Sequence, residues 1–378
     1  MMAQPTHEKV RRAIAQAQTV VVKVGSSSLT MPSGHLDPAK LDALVAALAC
    51  ARLQGARIVL VSSGAIAAGF GPLGFERRPS DIPTQQACAS VGQGLLMARY
   101  EVSFSRFGIR VGQILITAED TIRATQYHNA QRTLDRLLDL GVVPVVNEND
   151  ALANNEIRFG DNDRLSALVA NIVRADALVL LTDVDALYTA PPSQPGSRKI
   201  DFVPDVERAL DEVKVADSTS GVGTGGMVTK LEAAHMAAVS GIPSVLTCAS
   251  NAGPALMGDP VGTAFAPVKR RGSSRRLWIK FASHPRGVLV ADAGAAKAIR
   301  AGQASLLSAG VVEVRGEFSA GDPVWVDDES GKHIAKGLSG YDSEEIPRML
   351  GRNSAQLRRF FGDEYAHPLV HRDNLVLM

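Results

Sequence analysis

The feature that most constrains the fold is an alternation of short apolar runs with helical patterns along residues 7–241. Aliphatic and β-branched runs bounded by glycine, serine or charged residues are typical of buried strands. Strands are predicted at residues 20–24, 58–61, 111–117 and 177–181 and after Pro144, and helices at 7–18, 37–55, 85–104, 127–140, 165–173 and from the glycine cluster 221–226 to about 241. This alternation predicts a mostly parallel sheet covered on both faces, an α/β three-layer αβα sandwich.

The pattern changes after Phe265. A basic, small-residue stretch is followed by short apolar runs at residues 277–281, 288–290, 311–314 and 324–326, separated by Gly, Asp and Pro. Such runs predict a small, mostly-β domain. We therefore expect domains at residues 1–267 and 277–378, joined by a basic linker at 268–276.

Charge and cysteine content exclude several classes of protein. Forty Lys+Arg against 39 Asp+Glu leave a formal net charge of +1, so no overall field favours nucleic acid or a membrane surface. Cys50, Cys88 and Cys248 are odd in number and far apart, which predicts reduced core thiols and neither disulfides nor a metal centre. Without an apolar leader or a bilayer-spanning run, we expect a cytoplasmic protein.

The stretch from residue 147 to 163, NENDALANNEIRFGDND, is rich in carboxylates and amides. Five of its seventeen residues are Asp or Glu and five are Asn, with one cation, Arg158. In an open α/β sheet, ligands bind in loops beyond the carboxyl ends of the strands. We therefore interpret it as a substrate loop suited to an amino group, in preference to a solvated surface loop.

Two lysines lie next to glycine-rich segments. Lys23 interrupts the apolar run 20–24, which leads directly into Gly25 and Ser26, so it either snorkels to an edge or faces an anion such as phosphate. Residues 221–226 match G-x-G-x-x-G, but no clear strand precedes them and no acidic residue follows at the ribose position, which argues against dinucleotide binding. Lys230 comes four residues after Gly226, so this is not a Walker A loop; an anion site and a flexible surface loop both remain open.

Together these segments suit phosphoryl transfer. Lysines and glycine loops, including a third at residues 62–65, suit the phosphates of ATP. A carboxylate acceptor needs no general base, because it is already ionised at neutral pH. Catalysis would then consist of positioning and charge neutralisation.

Six motifs in this order resemble those of the amino acid kinase family, which also includes acetylglutamate kinase, aspartokinase and UMP kinase. They are VVVKVGSSSLT at 20–30, VSSGAIAAG at 61–69, VVPVVNEND at 142–150, GDNDRLSALVA at 160–170, LLTDVDALYT at 180–189 and GTGGMVTK at 223–230. RRLWIKF and HRDN, nearer the C-terminus, resemble the appended PUA domain, which is usually a small β-barrel.

The resemblance implies ATP-dependent phosphorylation of the side-chain carboxylate of L-glutamate, the first step of proline biosynthesis. It leaves two alternatives, a kinase acting on acetylglutamate or aspartate and an RNA-binding PUA protein. It also implies Mg²⁺ bound through ATP rather than by protein ligands, feedback inhibition by proline, glutamate-5-phosphate reductase as a candidate partner, and a homo-oligomer.

The site residues implied by the resemblance fall into three groups. The catalytic group is Lys23 and Lys230, held in register by Asp163. The glutamate group is Ser63, Gly64, Ala65, Asn147, Asp150, Asp161 and Asn162. The ATP group is Lys23, Gly25, Ser26, Thr182, Asp183, Thr224, Gly225, Gly226, Met227, Val228, Thr229 and Lys230.

Overall fold

The computed structural model describes residues 5–117, 120, 124–151, 162–190, 194–212, 225–268, 276, 279–280, 285–302 and 304–378. These residues divide into two compact units, the first reaching residue 268 and the second beginning at residue 276. The expected domain limits at 267 and 277 remain a proposal, which this division supports.

The first unit is built on an eight-stranded sheet. Its strands are β1 (Thr19–Val24), β2 (Arg57–Ser62), β3 (Val111–Ile116), β4 (Val143–Glu148), β5 (Ala177–Thr182), β8 (Phe202–Val203), β9 (Ser244–Cys248) and β10 (Thr263–Phe265), and a separate antiparallel pair is formed by β6 (Leu187–Tyr188) and β7 (Lys199–Ile200). The order is β3-β4-β2-β1-β5-β9-β10-β8, and only the β9–β10 pairing is antiparallel. The predicted mostly parallel sheet is confirmed.

Helices cover both faces of this sheet. They are α1 (His7–Ala15), α2 (Pro38–Leu53), α3 (Ala65–Phe70), α4 (Ile82–Ser105), α5 (Ala124–Asp139), α6 (Asn162–Ile172), α7 (Gly225–Val239) and α8 (Ala252–Leu256). Side chains alternate between the faces of a strand. Val22 and Val24 therefore join the core under α1, α2, α4 and α8, whereas Lys23 points to the opposite face, where α6 packs.

Helix α2 forms as its sequence predicts. The Asp37 carboxylate caps it by accepting hydrogen bonds from the N–H groups of Ala39 and Lys40. The chain leaves the helix through Gly55, whose φ of +104° favours glycine. No helix of the described residues is long and apolar enough to cross a membrane.

Helix α3 was not predicted, because its six residues (AIAAGF) are too few for a helical period to show. Its backbone packs directly on that of α4. A Cβ on Gly69 would overlap the Cys88 carbonyl oxygen, and one on Gly92 would overlap the Ala65 carbonyl oxygen. This close approach requires glycine at both positions and fixes the segment that follows β2.

The cysteine prediction is wrong for Cys50. Cys88 is buried and Cys248 partly buried, but Cys50 is exposed on α2. It follows the buried Leu48 by two residues, which places it roughly 200° around the helix, on the solvent side.

The second unit is a mostly-β domain, as predicted. Its strands are β11 (Gly287–Ala291), β12 (Val311–Gly316), β13 (Pro323–Asp328), β14 (His333–Leu338) and β15 (Leu375–Leu377), in the order β12-β11-β13-β14-β15, and its helices are α9 (Ala293–Arg300) and α10 (Ser354–Phe361). The expectation of a strand at 277–281 is wrong at Ile279 and Lys280, which are helical. A short apolar run does not distinguish strand from helix.

Candidate active site

The main cavity of the first unit opens at the carboxyl ends of β1, β2, β4 and β5, where ligands bind in open parallel sheets. Its volume is about 470 Å³. It is lined by Lys23, Gly25, Ser26, Ser27, Thr30, Gly34, Ser63, Gly64, Ala65, Ile66, Ala67, Phe70, Arg78, Asn147, Glu148, Asp150, Asn162, Thr182, Asp183 and Lys230. Segments separated by up to two hundred residues in the chain therefore meet at one edge of the sheet.

Asp163 joins the two lysines at this edge. Lys23 Nζ lies 2.6 Å from Asp163 Oδ1, and Lys230 Nζ lies 3.5 Å from Asp163 Oδ2. Lys230 also donates to the Gly226 carbonyl at 2.9 Å, and the Thr229 hydroxyl donates to Asp163 Oδ2 at 3.2 Å. Asp163 thus ties the end of β1 to the first turn of α7.

The cluster is a close group of charged side chains. One carboxylate serves two ammonium groups, so these three side chains sum to +1. The side chains of Lys23 and Asp163 are only 3% and 1% exposed, whereas that of Lys230 is 13% exposed. Ammonium groups at the wall of a cavity favour an anionic ligand. Lys23 does not snorkel to solvent; it forms a buried ion pair at the cavity wall.

A chain of side-chain amides supports the opposite wall. The carbonyl oxygen of Ser62, Ser63 Oγ and Asn147 Oδ1 lie 2.8–2.9 Å from Asn162 Nδ2, whose two N–H groups are shared among these three acceptors. Asn147 in turn donates to Gln93 Oε1 on α4 at 2.9 Å. Because Asn147 and Asn162 are 2% and 6% exposed, these bonds fix both amides in place.

A buried hydrogen bond and a glycine turn position the segment after β2. Ser62 Oγ shares a hydrogen bond of 2.7 Å with the Tyr100 hydroxyl, and burial raises the pKa of Tyr100, so this phenol stays neutral. Gly64 has a φ of +107°, a conformation that favours glycine, and the chain then enters α3. This bend leaves Ser63, Gly64 and Ala65 at the cavity surface.

The end of β5 forms another part of the wall. The Gly25 N–H donates to the Leu181 carbonyl at 3.2 Å, which aligns the segment after β1 with β5. Thr182 Oγ1 donates to Asp183 Oδ1 at 2.8 Å. Hydroxyl and carboxylate groups at this position are suited to contacts with a nucleotide.

The structure gathers most of the predicted site residues. Twelve of them line the cavity, and Asp163 lies directly behind Lys23 and Lys230. Gly225, Gly226, Met227, Val228 and Thr229 form the first turns of α7 beside Lys230 but do not line the cavity. Asp161 and Thr224 lie outside the described residues. The roles given to all these residues stay predictions.

Several residues at the site were not foreseen. Glu148 is 7% exposed, and Gln93 is 8% exposed and positions Asn147. A lone amide inside a helix of small and apolar residues was the available signal for Gln93, and the acidic character of residues 147–150 was the signal for Glu148. Phe70 and Arg78 carried no signal, because they reach the cavity only through the packing of α3 on α4.

Comparison with known proteins agrees with this fold. The model of the amino acid kinase family matches residues 18–248, and that of the PUA domain matches residues 287–361. The chain therefore belongs to the amino acid kinase family, which confirms the resemblance read from the six motifs.

Within that family, the chain is similar over its full length to glutamate 5-kinases. It is 77% identical over 377 residues to the glutamate 5-kinase of Bifidobacterium longum (strain DJO10A), with 100% of each chain covered. It is 54% identical to that of Thermobifida fusca (strain YX), with 98% of this chain and 96% of the relative covered. A solved carbamate kinase from Giardia lamblia bound to AMP-PNP matches 67% of this chain and 100% of its own, with a TM-score of 0.49 and 17% identity.

Proposed function

We propose that this chain transfers the γ-phosphoryl group of ATP to the side-chain carboxylate of L-glutamate, giving ADP and L-glutamyl 5-phosphate. The observation that carries the proposal is the cationic Lys23–Asp163–Lys230 cluster, which lies in the same cavity as a wall of amides and carboxylates. The full-length similarity to glutamate 5-kinases supports the choice of substrate.

The transfer needs no proton. A side-chain carboxylate oxygen of glutamate forms a bond to the γ-phosphorus while the bond from that phosphorus to the β–γ bridging oxygen breaks, and ADP leaves with the electron pair. Negative charge is spread over the phosphoryl oxygens during this step. We assign Lys23 and Lys230 to stabilise that charge, and Asp163 to hold both ammonium groups where it develops.

We assign binding of the amino acid to the wall of amides and carboxylates opposite the lysine cluster. Asp150 and Glu148 supply negative charge for the α-ammonium group, and Ser63 and the Asn162–Asn147 pair supply hydrogen-bonding groups for carboxylate oxygens. The amides are fixed before substrate arrives, so little ordering is required on binding.

Mg²⁺ bound through ATP remains a prediction. The ATP phosphates would supply ligands to the ion, as substrate phosphates commonly do for Mg²⁺. When bound, Mg²⁺ would neutralise phosphate charge. The protein's own contribution is the +1 lysine cluster.

Hydroxylamine trapping tests the function directly. With ATP, Mg²⁺ and L-glutamate, the purified chain is expected to form the glutamyl hydroxamate. Turnover of N-acetylglutamate or aspartate, without turnover of glutamate, would contradict the proposal and favour another member of the family.

Three predicted partners and a location are proposals that follow from this function. Proline would compete with glutamate for the part of the cavity lined by Ser63, Asn147, Glu148, Asp150 and Asn162, since it shares an ammonium and a carboxylate group with glutamate. Self-association is supported by an exposed apolar stripe of Val91, Leu95 and Val102 on α4, near the edge strand β3. Glutamate-5-phosphate reductase as the recipient of the labile product, and a cytoplasmic location, rest on the sequence alone.

A further inference from the structure

Arg78 is a cation of the cavity wall that the phosphoryl-transfer scheme leaves without a role. Among the described residues, three basic ones line the cavity, Lys23, Lys230 and Arg78. The two lysines share Asp163, whereas the exposed Arg78 has no hydrogen-bond or ion-pair partner among the described residues. An unpaired guanidinium at the wall of a polar cavity is placed to bind an anionic group of a ligand.

The topology places Arg78 on the amino acid half of the site. The strand order β4-β2-β1-β5 puts Asn147 and Ser63, which end or follow β4 and β2, on one side of Lys23, and Thr182, which ends β5, on the other. Arg78 belongs to the segment that joins α3 to α4. Helix α3 directly follows the segment containing Ser63, and α4 carries Gln93, the hydrogen-bond partner of Asn147.

The charges of the substrate account for this arrangement. Glutamate brings a side-chain carboxylate, an α-ammonium group and an α-carboxylate. In the proposed function the first lies next to the γ-phosphoryl group that the lysine cluster binds, and the acidic side chains face the second. The remaining group is an anion, and among the described residues that line the cavity Arg78 is the remaining cation.

We propose that Arg78 is a specificity-determining residue that binds the α-carboxylate of the amino acid substrate. This inference rests on the proposed function and deepens it. A guanidinium presents two parallel N–H donors to a carboxylate, so the contact would select amino acids with a free α-carboxylate over neutral analogues.

The test compares Arg78→Gln with Arg77→Gln, which removes a neighbouring exposed arginine that does not line the cavity. Steady-state kinetics are measured with L-glutamate and with L-isoglutamine, in which a carboxamide replaces the α-carboxylate. If isoglutamine turnover is too slow, its inhibition constant against glutamate is measured instead. Arg78→Gln is expected to raise the KM for glutamate roughly tenfold, since loss of a charge-assisted hydrogen bond has an effect of this order at an exposed site.

In Arg78→Gln, the KM or inhibition constant for isoglutamine and the KM for ATP should stay within twofold of the wild-type values. Arg78→Lys should give a KM for glutamate between those of the wild type and Arg78→Gln. The assignment would be overturned by an unchanged KM for glutamate, by equal increases in the constants for glutamate and isoglutamine, or by a raised KM for ATP alone. If the wild-type and Arg77→Gln proteins form no glutamyl hydroxamate, the proposed function itself fails. If both form it and Arg78→Gln matches them, only the role of Arg78 fails.

Discussion

Replacing Asp163 by asparagine removes one charge at the centre of the site while keeping the shape of the side chain. The change leaves Lys23, whose side chain is 3% exposed, beside a neutral amide, and it raises the charge of the cluster from +1 to +2. We therefore expect Asp163→Asn to affect both stability and catalysis.

The stability loss has an upper limit. Breaking a buried ion pair by removing one partner typically costs about 3–5 kcal/mol. Lys23 can instead lose its proton, which at pH 7 costs about 4.6 kcal/mol from an ordinary lysine pKa of 10.4. Lys230 contributes less, because it is more exposed and can turn towards solvent. The free energy of unfolding should therefore fall by roughly 3–4.5 kcal/mol.

The catalytic effect should differ from the effect on nucleotide binding. A further positive charge in the cluster favours a triphosphate, so the KM for ATP should not rise. The lysines would no longer be held at the reacting phosphoryl group, and kcat should fall by a factor on the order of 10²–10³. ATP should also raise the unfolding midpoint of the variant at least as much as that of the wild type.

Asp42→Asn is the matched control. Asp42 pairs with Arg99 at 2.6 Å and Arg106 at 3.1 Å, but it lies outside the cavity and its side chain is 28% exposed. Its loss should cost about 1 kcal/mol or less and leave kcat unchanged. Urea unfolding and the hydroxamate assay, applied to both variants, are the measurements. An Asp163→Asn protein as stable and active as Asp42→Asn, or one that loses only ATP affinity, would refute this reasoning.

Three further outcomes are expected. Gly92→Ala should prevent α3 from packing on α4 and lower the free energy of unfolding by more than about 3 kcal/mol, measured by urea unfolding, whereas Gly94→Ala, where a Cβ meets open space, should be tolerated. Arg164→Gln should lower the free energy of unfolding by about 1.5–3 kcal/mol, because it breaks the ion pair with Glu232 that joins α6 to α7; a charge exchange between the two positions should recover part of this loss in a double-mutant cycle. The hydrogen bond from Ser103, followed by the two arginines, lowers the pKa of Asp42, so the stability that this carboxylate contributes is present above the ordinary aspartate pKa of 3.8 and is lost as the pH falls below it. In an acid titration, the free energy of unfolding of Asp42→Asn should therefore fall less with pH over this range than that of the wild type.

The sequence predicts those parts of the fold that depend on local chemistry. Asp37 before a proline starts α2, and the apolar run containing Val22 and Val24 forms β1. These signals suffice because a cap, a buried run and a helical period each act within a few residues. Ile279 and Lys280 were misassigned because the apolar run at 277–281 is too short to show its period.

The candidate site shows the same division. Lys23 and Lys230 were found because each lies beside a glycine-rich segment. Both lysines pair with Asp163, and this pairing depends on the tertiary structure. The family resemblance implied it, but sequence spacing alone could not predict it. Arg78 was missed because nothing near it in sequence shows that α3 turns its segment towards the cavity.

The most direct test of the central claim is a comparison of Asp150→Ala with Lys230→Ala in one steady-state assay. In the proposed function, the cavity is divided into a wall that binds the amino acid and a lysine cluster that promotes phosphoryl transfer. Asp150→Ala is therefore expected chiefly to raise the KM for glutamate, roughly tenfold or more. Lys230→Ala is expected chiefly to lower kcat, on the order of 10²–10³-fold. If both substitutions raised only the KM for glutamate and left kcat intact, the division of the site would be contradicted.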